Sequence, residues 1–235
     1  MKTILTLKYG DKYSASDVNN IYNATEGAYN YVCLTDDTTG LYSDIKTLPV
    51  DAEYGHWNKV LMLGLKDLGD VLYLDLDVHL QQSIVDIWKH CQYTASVAFT
   101  YWKSDTFPTK RLESVSDPMM SYLGNYNSSV MLWRSGHSDY WNPKLEEIVD
   151  KFLNDEDYYM VKYCGGDDRF LWHECELNAL PKELVYSYVY GADYIYDNKS
   201  FEYRPDYMIA LLNGIDRHEN VRQRYYDALS VHKMG

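Results

Sequence analysis

The sequence has no excess of positive charge and no basic run; its 235 residues carry a formal net charge of −13. Charge of that sign argues against nucleic acid or an anionic membrane as the main partner, although an acidic protein still binds phosphates where a metal supplies positive charge. No apolar run approaches the ~20 residues of a membrane span. Residues 1–10 place only Ile4, Leu5 and Leu7 between Lys2 and Lys8, too few for a signal-peptide core. A cytoplasmic, soluble protein with no transmembrane segment is therefore expected. The cysteines, Cys33, Cys91, Cys164 and Cys175, show no Cys-x-x-Cys spacing, so neither a zinc site nor a disulfide framework is suggested, and they read as reduced core thiols. Phenylalanine is scarce, 5 residues against 25 tyrosines. Tyrosine combines an apolar face with a polar tip and suits stacking on sugar rings or bases, but compositional bias accounts for most of these. No internal repeat or low-complexity tract is visible, and the length suits one large domain.

What is present is organised around Val71-Leu72-Tyr73-Leu74-Asp75-Leu76-Asp77. Four consecutive apolar residues suit a central strand covered on both faces, and two carboxylates follow where it ends. Side chains on a strand alternate faces, so Asp75 and Asp77 point the same way, with Leu76 turned back into the core. Such a pair can grip one divalent cation; hard oxygens suit magnesium or manganese, with water and substrate phosphates completing the shell. An isolated Asp-x-Asp is more often a solvated strand end. After so apolar a strand, metal binding is the favoured reading.

The rest of the chain alternates strands and helices. Residues 2–8 form a first strand, closed at Tyr9-Gly10, and Ser14 caps a helix with Val18, Ile21 and Tyr22 at helical spacing. Residues 31–34 form a second strand followed by Thr35-Asp36-Asp37-Thr38-Thr39-Gly40, a polar loop at the strand end where open α/β sheets place ligands. Asp37 there accepts from a base or ribose, or simply forms a turn. Residues 56–68 read as a buried helix, Ser83 opens another, and residues 94–101 form a strand. The polar stretch 102–117 is long for a connection and suits a lid or substrate-binding segment, or a loop without a role. Residues 130–133 read as a strand entered through an Asn127-Ser128-Ser129 turn. Helices follow over 137–153 and 156–163, then Gly165-Gly166-Asp167-Asp168 opens a further helix. Residues 186–190 and 207–212 are strands, and a charged surface helix follows residue 219. The alternation predicts an α/β, Rossmann-like, mixed and mostly parallel sheet flanked by helices.

Taken in order, Cys33-Leu34-Thr35-Asp36-Asp37, His56-Trp57-Asn58-Lys59, the Asp75-Leu76-Asp77 segment, Asn127-Ser128-Ser129-Val130-Met131 and Gly166-Asp167-Asp168 resemble the GT-A glycosyltransferases. The likeness is to small bacterial and viral members of the glycogenin and galactosyltransferase-like class, and it covers most of the chain. It implies one GT-A domain over residues 1–235, with a nucleotide-binding half of about residues 1–100 and a sugar and acceptor half beyond. It further implies that Asp75 and Asp77 hold Mn2+ or Mg2+, Asp77 the more direct ligand, and that Asp168 and Asp167 are the catalytic carboxylates beside the anomeric carbon. Tyr9, Asp37, Lys59, Asp75, Asn127, Ser128, Gly214 and Arg217 would then bind the donor. The family's closing His-Gly-x-x-Lys-Pro segment is replaced here by Asn213-Gly214-Ile215-Asp216-Arg217-His218. Asn213 would take the place of the ligand histidine, binding a hard cation more weakly, with His218 or Asp216 able to substitute after a register shift.

The function implied is a metal-dependent hexosyltransferase that moves a sugar from a nucleotide-sugar donor, a UDP-sugar by the resemblance, to a glycan, protein or lipid-linked acceptor with retention of configuration. Two alternatives stand beside it. A sugar-nucleotide pyrophosphorylase shares the fold type and metal but carries a Gly-rich first loop, where Tyr9-Gly10-Asp11-Lys12 has a single glycine. A non-catalytic carbohydrate- or nucleotide-sugar-binding protein would explain the tyrosines but not the aspartate pair.

Overall fold

The structure is a computed structural model that describes residues 1–25, 27–102, 124–138, 142–163, 166–192, 201–213 and 220–234. Strand β1 (Lys2–Lys8) leads through the capped helix α1 (Ala15–Ala24) into β2 (Asn30–Thr35), which pairs parallel with it. Asp17 makes the cap: its carboxylate accepts from the Ser14 N–H and hydroxyl, at 2.8 and 2.9 Å. The short β3 (Lys46–Pro49) adds an edge that the sequence did not announce. After the four-residue helix α2 (Asn58–Leu61), β4 (Asp70–Leu74) returns along the other side of β1.

The remaining elements are β5 (Val78–Leu80), β6 (Ser96–Phe99), β7 (Tyr126–Arg134), α3 (Pro143–Asn154), α4 (Glu156–Lys162), α5 (Asp167–Glu174), β8 (Asn178–Ala179), β9 (Val185–Ser187), β10 (Ile209–Leu211) and α6 (Val221–Met234). A seven-stranded sheet runs in the order β3-β2-β1-β4-β7-β6-β8, and a three-stranded sheet in the order β5-β10-β9. Within the large sheet only the pairings of β7 with β4 and β6 are antiparallel.

Alternation explains why these strands are apolar throughout. Leu5, Leu7, Val71 and Tyr73 face one core with Trp57, Phe152, Phe170 and Trp172, while Ile4, Leu72 and Leu74 face the other with Val18, Ile21 and Ile87. A sheet covered on both faces has no solvent side on which polar residues could alternate. A third cluster joins the small sheet to α6 through Tyr186, Tyr188, Tyr207 and Tyr225. Cys33 and Cys91 are buried free thiols, as expected, Cys175 is buried too, and Cys164 lies outside the described residues.

Three expectations about local structure are corrected. The helix over 56–68 is not continuous: a 3-10 turn (Ala52–Trp57) containing Gly55 at φ 51° precedes α2, and a second one, Met62–Gly64, ends it. The strand does not carry Asp75 and Asp77; it stops at Leu74, and both aspartates occupy the turn from which the chain crosses into β5 of the other sheet. Asn127, Ser128 and Ser129 are not a turn before a strand but belong to β7, where the register against β6 jumps from Val97↔Met131 to Ala98↔Asn127. The segment opened by Ser83, over Ile84–His90, is a 3-10 helix. Most of the 102–117 loop lies outside the described residues. No helix among the described residues is long and apolar enough to cross a membrane.

Candidate active site

Parallel pairing brings β1 and β4 out of the sheet at the same edge, with Leu5 opposite Tyr73, so the chain delivers Tyr9 and Asp75 to one place. Asp75 is held from two sides: the Tyr73 hydroxyl donates to its Oδ1, and Lys59 Nζ donates to its Oδ2 at 2.7 Å. The Asp75 N–H donates to the Ser129 carbonyl at 2.9 Å, fixing the backbone as it leaves the strand. Lys59 is buried in the first turn of α2, and its Nζ also donates to Ser128 Oγ at 3.3 Å. Burying an ammonium is costly unless a partner compensates. Burial does work against its charge, but Asp75, Asp167 and Asp77 outweigh that and raise the Lys59 pKa above the ordinary lysine range. The bulge in β7 is what lets Ser128 reach this lysine, since an irregular register re-aims a side chain that regular alternation would fix.

Asp77 lies deeper in the turn. Burial pushes its carboxyl up to about 6, and the Asp75 charge adds to the shift; Lys59, Lys12 and a hydrogen bond from Tyr13 oppose it. Asp167 opens α5 and is 4% exposed, and its Oδ2 has no hydrogen-bond partner among the described residues. Burial drives its carboxyl up to about 7, Lys59 and a hydrogen bond from Ser128 acting against Asp168 and Asp75. Asp168 is half-buried and folds back over Gly166, where a Cβ would come within 2.6 Å of its Oδ1. A side chain at 166 would therefore displace that carboxylate, and the backbone there, at φ 154°, favours glycine.

Asp36, not Asp37, braces the first two loops: its Oδ2 accepts from the Gly10 N–H at 2.9 Å. Asp37 is exposed and forms a local turn, its Oδ1 accepting from the Thr39 N–H at 2.9 Å, while Lys8 Nζ donates to the Asp37 carbonyl at 3.3 Å. Asn127 accepts from the Ser129 N–H at 3.1 Å, within the bulge. The pairing of β5 with β10 brings the Leu212 N–H to the Asp77 carbonyl at 2.9 Å, which places Asn213 one residue beyond that contact. The Asn213 side-chain oxygen accepts from Ser187 Oγ at 2.6 Å. Gly214, Asp216, Arg217 and His218 lie outside the described residues.

Three nearby side chains went unassigned in the sequence. His56 follows Gly55, which takes a positive φ of 51°, its ring 5.6 Å from that of Trp57, with Nε2 buried and unpaired among the described residues. Burial lowers its pKa, with Lys59 acting the same way and Asp168 and Asp75 opposing. Lys12 and Tyr13 follow Tyr9 in the first loop, Lys12 Nζ lying 5.0 Å from the Tyr13 ring centre. No local pattern marks a loop lysine or tyrosine as belonging to a site; only the placement of Asp77 beside that loop does so.

The site thus gathers Asp75, Asp77 and Asp167 around one buried ammonium, with Asp168 next to Asp167. Asp75 and Asp77 supply hard oxygens, and each Asp75 oxygen keeps a lone pair after accepting its hydrogen bond, so the set fits a divalent cation whose remaining positions are filled by water or phosphate. No group of three or more His, Cys, Asp or Glu side chains suited to a metal occurs among the described residues, so the protein's described share of such a shell is limited to that pair.

No protein-family model and no curated protein matches the sequence. Solved structures do match the fold. The galactosyltransferase LgtC in complex with donor and acceptor sugar analogues superposes with a TM-score of 0.59 at 12% identity, over 97% of this chain and 95% of that one. An active-site mutant of LgtC gives 0.56 at 11% identity over the same shares. The glycosyltransferase GlyE of Streptococcus pneumoniae TIGR4 gives 0.52 at 11%, over 81% of this chain and 48% of that one. At such identities the likeness concerns the fold, and the fold is the GT-A type: a mixed, mostly parallel seven-stranded sheet flanked by helices.

Proposed function

We propose that this chain is a glycosyltransferase that uses a nucleotide-sugar donor. The observation that carries the proposal is the meeting of Asp75, Asp77 and Asp167 about the buried Lys59, with Asp168 beside Asp167, where β1 and β4 leave a GT-A sheet. Fold alone hosts many functions, so the argument rests on this cluster rather than on the architecture. The neighbours in fold add support, being a galactosyltransferase in complex with donor and acceptor sugar analogues and a glycosyltransferase.

Each residue then has a task. Lys59 and Tyr73 fix the orientation of Asp75, so that Asp75 and Asp77 would hold Mn2+ or Mg2+. When bound, that cation would neutralise the diphosphate as it departs from the sugar. Asp167 keeps a buried oxygen without a partner, suited to accept from a sugar hydroxyl, and the Asn127–Ser128 segment forms the neighbouring wall. Asp168, at the mouth of α5, stabilises positive charge developing at the anomeric carbon or attacks it, with retention as the outcome. Tyr9 and the loop braced by Asp36 supply the nucleotide side, in the half formed by about residues 1–100. The donor proposed is a UDP-sugar, and the acceptor a glycan, a protein or a lipid-linked sugar.

The test is calorimetric titration with UDP and GDP, with and without manganese, on the wild type and on Asp77→Ala, followed by donor hydrolysis. Binding of one nucleotide that requires manganese and is lost in the variant supports the proposal and selects the base. Absence of binding by either nucleotide in the presence of manganese overturns it.

A further inference from the structure

A polar cavity lies at the other end of the large sheet, where β1 and β4 begin and β7 ends. It measures about 500 Å³ and opens among Met1, Asp67, Asp70, Tyr93, Arg134 and His137. Strand β4 separates it from the carboxylate cluster: Asp70 at its start lines the cavity, and Asp75 lies just past its end. The lining shares no residue with that cluster, and the volume suits a small polar ligand.

The lining carries charge of both signs. Arg134 Nε donates to Asp70 Oδ1 at 2.7 Å, and the guanidinium carbon stands 5.3 Å from the centre of the Tyr93 ring. A guanidinium has five N–H groups, more than these two neighbours accept, and the Arg134 side chain is 43% exposed. Asp67 Oδ1 accepts from the Ser138 N–H at 3.1 Å, which leaves Oδ2 without a hydrogen-bond partner among the described residues. A phosphate here would meet two carboxylates, and a metal ion would meet a guanidinium. A neutral polyol meets neither obstacle: its hydroxyls need donors and acceptors side by side, and a sugar ring also gains from an aromatic flank. Tyr93, 46% exposed, supplies that flank.

The walls are set before any ligand arrives. Asn142 Nδ2 donates to the Tyr93 carbonyl at 2.7 Å and to the Arg134 carbonyl at 2.9 Å, tying the aromatic side to the cationic one. The Asp67 N–H donates to the Gly136 carbonyl at 2.8 Å, and the Asp70 N–H to the Met1 carbonyl at 2.9 Å. Groups fixed in this way lose little freedom on binding.

We propose that this cavity binds a neutral saccharide unit, Asp67 accepting from one hydroxyl and Arg134 donating to another beside the Tyr93 ring. The assignment uses neither nucleotide nor metal and stands apart from the glycosyltransferase reading. On a glycosyltransferase, such a site would hold a remote unit of a glycan while the reacting unit lies at the other end of the sheet.

The experiment follows the Gly69 and Gly136 amide resonances and the Arg134 Nε–H in isotope-labelled protein, without nucleotide or manganese. Glucose, galactose, N-acetylglucosamine and lactose are titrated in turn, and inorganic phosphate separately. Asp67→Asn keeps the oxygen that accepts from Ser138 and tolerates the left-handed backbone at φ 62°, while turning the spare acceptor into a donor. Arg134→Gln is the second variant, at a partly exposed side chain. At least one sugar is expected to shift these resonances to saturation, phosphate to leave them in place, and each variant to weaken that sugar about tenfold, the scale of one charge-assisted hydrogen bond. If no sugar moves them in the wild type, if phosphate does so instead, or if either variant binds within about twofold of the wild type, the assignment is overturned. None of these outcomes bears on UDP binding at Asp75 and Asp77, so the two readings fail separately.

Discussion

Lys59 Nζ lies 2.7 Å from Asp75 Oδ2, and the two side chains join α2 to the turn after β4 across the floor of the site. Both are largely withdrawn from solvent, at 11% and 18% side-chain exposure. Removing one member of such a pair leaves the other as an uncompensated charge in a poorly solvated place. Lys59→Met is therefore expected to destabilise the fold by about 3 kcal/mol, and Lys59→Met with Asp75→Asn to recover part of that loss. Urea unfolding of both single variants and the double variant measures the coupling. Strictly additive losses would show that the pair is not coupled.

Asp167 gives a pH dependence whose sign follows from burial. Its carboxyl is raised from the ordinary aspartate range to about 7, so the folded state holds its proton more tightly than the unfolded chain does. Below about pH 4 the group is protonated in both states and costs nothing. As pH rises towards 7 the unfolded chain ionises first, and the fold loses stability until the native group has ionised too. Glu174 has the opposite sense: although burial works against its charge, Lys162 and Tyr163 hold its pKa low, so its contribution is lost as pH falls. The wild-type curve mixes the two. The difference between wild type and Asp167→Asn isolates the first, and thermal unfolding from pH 5 to 8 should show the variant gaining on the wild type as pH rises. A constant gap would mean that Asp167 is not buried as a carboxylic acid.

How far the sequence alone reveals this site depends on whether a residue's role is local. Residues 71–74 could be read as a buried central strand because every residue on it is apolar, and both faces are indeed covered. Asp75 and Asp77 were legible as a pair, but for a different reason than strand alternation, since the chain switches sheets between them and β5 and nothing local encodes that. The bulge at Asn127-Ser128-Ser129 looked like a turn because those residue types favour turns. The edge strand β3 ends in Pro49 and is half-exposed, which removes both the apolar run and the alternation by which strands are recognised. Lys12, Tyr13 and His56 acquire meaning only from what the fold sets beside them.

Behind the Lys59 wall, Phe152 of α3 stacks on Trp57, ring centres 5.1 Å apart and planes within 8°. Phe152 is fully buried and also meets Phe170, the residue of α5 two positions after Asp168. Phe152→Ala is expected to cost about 3–5 kcal/mol through lost burial and the cavity left behind. Phe152→Leu should cost less, because most of the volume is kept. Denaturant midpoints of the two variants test the ordering, and equal losses would argue against a packing origin.

Gly166 supplies a separation of fold from chemistry. Its backbone stands at φ 154° and ψ 150°, a combination that side-chain-bearing residues avoid, and the space a Cβ would take is filled by Asp168 Oδ1 at 2.6 Å. Backbone strain of this kind costs about 1–3 kcal/mol. The clash itself is relieved cheaply, because the atom in the way is the tip of a side chain that can rotate. Rotation, however, moves the carboxylate away from the position in which Asp168 would meet a developing cation. Gly166→Ala should therefore remain folded with a modest loss of stability, bind nucleotide with manganese as the wild type does, and lose about 100-fold in donor hydrolysis, the scale at which an ångström of misplacement acts. Calorimetry, thermal unfolding and hydrolysis on one preparation decide it. A variant that hydrolyses donor at the wild-type rate would remove Asp168 from the chemistry, and one that also lost nucleotide binding would show that Gly166 supports the site as a whole rather than Asp168 alone.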